Sequence, residues 1–162
     1  MTKYESTVKK IYFPVESVYA RLSDLTNLQV IQDRIDDPAF EQLVLEKAGD
    51  KVKPEQVAQI KERIRSLQFT QDTVSGDAAP LGTVTLRIVE REMPKLVKFA
   101  LEGAPIQANL WIQLLPASAT QCAMKVTVGA EMNFFIKQMV GKKLEKGVEG
   151  LADMLAMIPY GY

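Results

Sequence analysis

Three side chains stand where their neighbours could give them chemistry. Glu90 follows Val84, Leu86 and Ile88 in the same two-residue phase, so in an unbroken strand it points with them into the interior. Burial there would raise its pKa and make it a general acid or base. The competing account is a solvated carboxylate at a strand end beside Met93-Pro94, which the rarity of unpaired buried acids favours. Glu131 opens a long helical pattern, where a carboxylate offsets the helix dipole rather than reacts. Cys122 lies on the apolar phase of its strand and reads as a small buried hydrophobe, because the chain has no histidine to activate it.

The missing histidine excludes more than that. Ser-His-Asp and Cys-His devices, imidazole bases and the usual histidine-bearing metal sites are all removed, so neither a catalytic residue set nor a metal or other cofactor is expected. Twenty basic and twenty acidic side chains, with a pI near 6.4, supply no basic excess for nucleic acid. One cysteine cannot form an intrachain bridge, so the chain does not depend on an oxidising compartment. The apolar runs fall far short of the ~20 residues that span a bilayer, and Met1-Thr2-Lys3-Tyr4-Glu5 lacks the apolar stretch of a secretory signal. The expected location is the cytoplasm. At 162 residues and 47% hydrophobic, the chain is expected to form one domain over 1–162 that holds its core without a staple.

The elements that must position these residues follow from periodicity. Tyr4 to Phe13 reads as a strand ended by Pro14, after which Val15, Val18, Tyr19, Leu22 and Leu25 recur at helical spacing. Ser23-Asp24 can cap a second short helix through Leu28. From Asp33 to Ser66 the chain is crowded with charge. One helix is expected after Asp37-Pro38, with Phe40, Leu43 and Val44 on a face, and another from Pro54, with Val57, Ile60, Ile64 and Leu67 on a stripe. Strands follow at Phe69–Val74, Gly82–Glu92, Leu96–Glu102, Asn109–Leu115 and Thr120–Ala130, joined by short Gly- and Pro-bearing turns as in an antiparallel meander. A long helix runs from Glu131 to Ile158, where Pro159 stops it; Gly141, Gly147 and Gly150 within it mark either close approach to other elements or a weak helix centre.

This order is that of the helix-grip fold, an α+β architecture in which a curved antiparallel sheet, here of about six strands, wraps around a long C-terminal helix. The segment Phe13-Pro14-Val15-Glu16-Ser17-Val18-Tyr19-Ala20-Arg21-Leu22-Ser23-Asp24-Leu25 resembles the opening of START-like proteins of the SRPBCC (polyketide cyclase/dehydrase) superfamily. Leu114-Leu115-Pro116 before the last strand is similar to that superfamily's pattern as well. The helical insertion at about 33–66 departs from it, being longer than the usual link to the second strand.

The resemblance implies a hydrophobic cavity between sheet and helix, used across the superfamily for lipids, sterols, polyketides or plant hormones. The residues expected to line it are Phe99, Leu101, Ile112, Leu114, Met124 and Val126 from strands and Phe135, Ile136 and Met139 from the helix. The same residues could equally fill an ordinary core. In Asn109–Leu115 the aliphatic face is taken as inward; the opposite phase would line the cavity with Asn109, Trp111 and Gln113. The leading expectation is non-catalytic binding of a small hydrophobic molecule, with Asp33–Ser66 covering or flanking the entrance. A cyclase- or dehydratase-like enzyme using a pocket carboxylate such as Glu90, and a protein-interaction module, are the alternatives.

Overall fold

The computed structural model describes residues 2–34, 36–39, 42, 54–77, 82–156, 158 and 160. The first strand is broken in two, β1 (Thr2–Glu5) and β2 (Lys9–Ile11), both antiparallel to one neighbour. Side chains at the break cause it. The Ser6 hydroxyl accepts the Val126 N–H at 3.0 Å, and Thr7 gives its N–H (3.0 Å) and hydroxyl (2.6 Å) to Glu149 on the long helix instead of continuing the ladder.

After Pro14, α1 (Val15–Leu22) buries Val15, Val18, Tyr19 and Leu22. A 3-10 turn over Leu25–Leu28 is capped by Asp24, whose carboxylate accepts from the Thr26 N–H at 3.1 Å, and α2 (Gln29–Asp33) follows directly. Asp37 accepts the Ala39 N–H at 2.9 Å as a cap does, while Phe40, Leu43 and Val44 of the helix expected there lie outside the described residues. The helix expected from Pro54 is α3 (Pro54–Ser66). Its C-terminal end is tied to α2 by the Gln32 amide, which donates to the Ile64 carbonyl at 2.9 Å, and to the segment after α2 by Arg65, which pairs with Asp36.

The remaining strands are β3 (Gln68–Phe69), β4 (Thr73–Asp77), β5 (Thr83–Glu92), β6 (Leu96–Glu102), β7 (Ala108–Pro116) and β8 (Cys122–Ala130). They form one antiparallel sheet in the order β1-β8-β7-β6-β5-β4-β3, with β2 also on β8. The expected six strands become eight because the first is split and because a turn at Thr70–Asp72 divides Phe69–Val74, so that β4 continues through Ser75-Gly76 to Asp77. The long helix is α4 (Phe134–Ala156); it starts at Asn133, whose carboxamide accepts the Ile136 N–H at 2.9 Å, rather than at Glu131. The architecture is α+β, with the long helix and the sheet placed as in a helix grip.

The helix α4 packs on β8, β1 and β2, while α1 packs on β6 and β7. Between them lies one buried cluster that includes Val18, Leu22, Val97, Ile112, Cys122 and Val148. The chain beyond α4 completes it: Tyr160 is buried, bonds the Leu155 carbonyl at 2.6 Å and meets Phe13 edge-on at 6.3 Å.

Candidate functional site

The inward face of the sheet is apolar along β6, β7 and β8 and along β5 as far as Ile88. Register pairs Leu86 with Leu101, Ile88 and Leu110 with Phe99, and Ile112 with Val97 and Val126. Leu110, Ile112 and Leu114 are buried, so the aliphatic phase of β7 faces inward. Trp111 is on the outer face, with the Lys3 and Lys98 ammonium groups 5.2 and 5.5 Å from its ring centroid, and Asn109 donates to the Phe99 carbonyl at 3.2 Å.

The two ends of this face differ. Toward Glu92, Leu96 and Cys122 the inward residues are closed over by α1 and the second half of α4. Ile112, Leu114, Met124 and Val126, expected as cavity lining, are therefore buried members of the core, and Phe99 is too. Toward Thr83, Glu102 and Ala130 the cover thins. Val84, Leu86, Leu101 and Val128 are only half-buried there, as are Ile136, Val140 and Leu144 in the first half of α4. Of the residues expected to line a cavity, Leu101 and Ile136 belong to this strip. Val84, Leu86, Val128 and Val140 belong to it too; alternation had already put Val84 and Leu86 on the inward phase, but nothing local says which inward residues a helix will leave uncovered.

Phe135 and Met139 do not face the sheet. Their exposures are 75% and 74%, with Phe134 at 68%. The stripe of α4 that meets the sheet runs through Gly141, Val148, Ala152 and Leu155. At about 100° per residue, Met139 stands on nearly the opposite side of the helix from Gly141. Gly141 itself marks a close approach, since a Cβ there would lie 2.9 Å from the Tyr4 hydroxyl.

Glu90 is turned out by a bulge. Ile88 pairs with Phe99, but the next paired residue is Glu90, opposite Lys98, so Val89 is inserted and the phase flips. Glu90 is exposed on the outer face, and the route by which it could become a buried acid is gone. The adjacent apolar pair Ile88-Val89 is the sequence signal for that break. Cys122 is fully buried, and burial pushes its thiol up, away from the thiolate needed for reaction.

Ionisable groups near the inward face are used in structure. Glu149 accepts from Thr7 and, at 3.0 Å, from the Lys9 ammonium, which also reaches Asp153 at 2.8 Å. The Thr7 hydroxyl, with its N–H and Lys9, holds the Glu149 carboxyl down at about 2. Among the described residues no cluster of acids and sulfur is arranged to hold a metal ion, and no helix is long and apolar enough to cross a membrane. On the outer face, a shallow depression of about 410 Å³ is lined by Val8, Leu96, Leu115 and Ala123 together with Lys95 and Lys125. The strip is apolar, and its described aliphatic side chains bring no acid or base to it.

No family model and no curated protein matches the chain by sequence. Solved structures do match it by fold. Norcoclaurine synthase from Thalictrum flavum superposes with a TM-score of 0.62 at 9% identity, covering 99% of this chain and 87% of that one. A solution structure from Thermobifida fusca gives 0.57 at 14% identity, over 99% and 94% of the two chains. The di-domain ARO/CYC BexL gives 0.54 at 13% identity, over 93% of this chain and 45% of that one. The chain therefore shares the fold of these structures, the helix-grip arrangement that its opening segment and element order led one to expect.

Proposed function

We propose that the protein binds a small apolar molecule, lipid-like, polyketide-like or isoprenoid-like, between the sheet and the first half of α4, and does so without catalysis in a cytoplasmic setting. One observation carries this reading: Val84, Leu86, Leu101 and Val128 are inward-facing aliphatics left half-buried, although Ile88, Phe99 and Val126, their next inward neighbours on the same strands, are buried. Native interiors leave few such gaps, so an incompletely covered inward strip is the place for an added apolar group. Its chemistry sets the ligand class. At about 25 cal/mol per Å² of apolar surface, micromolar binding, worth about 8 kcal/mol, requires on the order of 300 Å² to be covered even before entropy costs. A ligand that meets this is largely hydrocarbon. Its solved neighbours include an enzyme bound to dopamine and hydroxybenzaldehyde and an ARO/CYC, which supports small-molecule binding as a use of the fold.

The test is titration with 11-(dansylamino)undecanoic acid, whose fluorescence rises in apolar surroundings. Saturable one-to-one binding is expected, and Leu101→Trp, which fills the strip, is expected to weaken it at least tenfold while leaving the thermal midpoint nearly unchanged. Absence of saturable binding, or a Leu101→Trp protein that binds as before, overturns the reading.

A further inference from the structure

The first two turns of α4 carry three large apolar side chains in water, Phe134, Phe135 and Met139. Monomeric proteins seldom place two phenylalanines side by side in solvent without a use for them. Lys142, Lys143 and Lys146 lie one to three turns further along the helix, with Lys137 among the apolar residues; all four are exposed, and none is in an ion pair among the described residues. Glu131 and Glu145 are the acidic residues of the same stretch, so it holds a local positive excess in a chain whose total charge is zero.

From these positions we infer that the N-terminal half of α4 docks on an anionic lipid bilayer. Seven residues separate Phe135 from Lys142, about 10 Å along the axis. Interfacial helices bury their apolar groups about 5–10 Å deep, so when the phenylalanines reach the acyl boundary the lysines stand among the headgroups. Charge decides the occupant. A second copy of the chain would bring the same lysines against these, whereas an anionic lipid surface neutralises them. The apolar tip and the lysines behind it then each contribute to one binding event. This inference needs no ligand in the strip beside it.

The experiment is co-sedimentation of the full chain with vesicles of phosphatidylcholine containing about a third phosphatidylglycerol, against phosphatidylcholine alone. Partition is expected only with the anionic vesicles, falling as salt is raised. Each lysine near such a surface is worth about fivefold in partition, so Lys142→Gln with Lys143→Gln is expected to lower it about 25-fold. Phe134→Ser with Phe135→Ser is expected to lower it at least tenfold. All four positions are exposed, so the thermal midpoint stays fixed and the loss is not unfolding. The inference is overturned by equal partition to both vesicle types, by none to either, or by a concentration-dependent dimer in light scattering that Phe135→Ser dissolves, which would assign the patch to a second copy. Undecanoate-probe binding by the lysine variant reports separately on the ligand strip.

Discussion

The two halves of α4 carry similar apolar residues at similar spacing, yet one half is core and the other is surface. Val148, Ala152 and Leu155 are buried against the sheet, whereas Phe134, Phe135 and Met139 stand in water. What separates them is the element opposite. The stripe of the second half enters the buried cluster, which Ile158 and Tyr160 join, with the Tyr160 hydroxyl bonded to the Leu155 carbonyl. In the first half Gly141 lets the helix approach Tyr4 of β1, and the apolar side chains turned from the sheet stand in water. Periodicity finds a helix, and its neighbours decide which of its apolar residues are buried.

The sharpest way to break this contrast is to remove the same kind of side chain from each half. Leu155→Ala takes a buried leucine out of the cluster and is expected to cost about 2–5 kcal/mol in urea unfolding, depending on how far Tyr160 and its neighbours collapse into the space. Phe135→Ala deletes a larger side chain and is expected to change stability by less than about 0.5 kcal/mol. Equal losses would mean that the first half of the helix is packed after all, and the docking inference would lose its exposed residues.

A smaller effect tests a close contact of the first half. Gly141→Leu drives a side chain into the Tyr4 hydroxyl and is expected to cost about 1–3 kcal/mol, the usual range for overpacking. The measurement is the same urea midpoint. No change would show that the helix start can lift from the sheet without penalty.

Between the halves, Glu149 joins the helix to the break between β1 and β2, and its contribution depends on pH. The carboxyl is depressed from 4.5 to about 2 in the folded protein, mainly by the Thr7 hydroxyl. A depressed folded pKa stabilises above the unfolded value, so the contribution is full above about 4.5 and fades as pH falls toward 2. Because the side chain is partly solvated, about 1 kcal/mol is expected rather than the full linkage value. Glu149→Gln should flatten that part of the stability profile between pH 4.5 and 2. A variant profile parallel to the wild type would place the acid sensitivity elsewhere.

Much of this was legible in the residues, and what was not has physical causes. Alternation in β5 through β8, up to the bulge at Val89, groups the side chains that share a face, because a strand's two faces are a local property. The order of elements likewise follows from local periods and turn residues. Three features depend on partners far away in sequence. The break at Ser6 needs Val126 and Glu149, the bulge at Val89 needs the β6 register, and the burial of Tyr160 needs Phe13 and Leu155. The candidate site was the least legible: of the residues expected to line it, Leu101 and Ile136 are half-buried, Phe99, Ile112, Leu114, Met124 and Val126 are buried in the core cluster, and Phe135 and Met139 face away from the sheet. Lining a cavity requires an inward phase and an absent neighbour, and sequence shows only the first.

The smallest expected effect asks whether the helix is weak where nothing presses on it. Gly147 and Gly150 have no heavy atom within 4 Å of an added Cβ, so unlike Gly141 they are not required by packing. Glycine in a helix interior costs up to about 1 kcal/mol relative to alanine, so Gly150→Ala is expected to stabilise the protein by a fraction of that to the whole. The gain should appear in the urea midpoint and in slower amide exchange around Glu149, with Leu155 unaffected. A neutral or destabilising Gly150→Ala would mean that the backbone at this point must yield, with the helix behaving as two segments. Stiffening it would then also alter vesicle partition of the first half, which a simple rigid helix would leave unchanged.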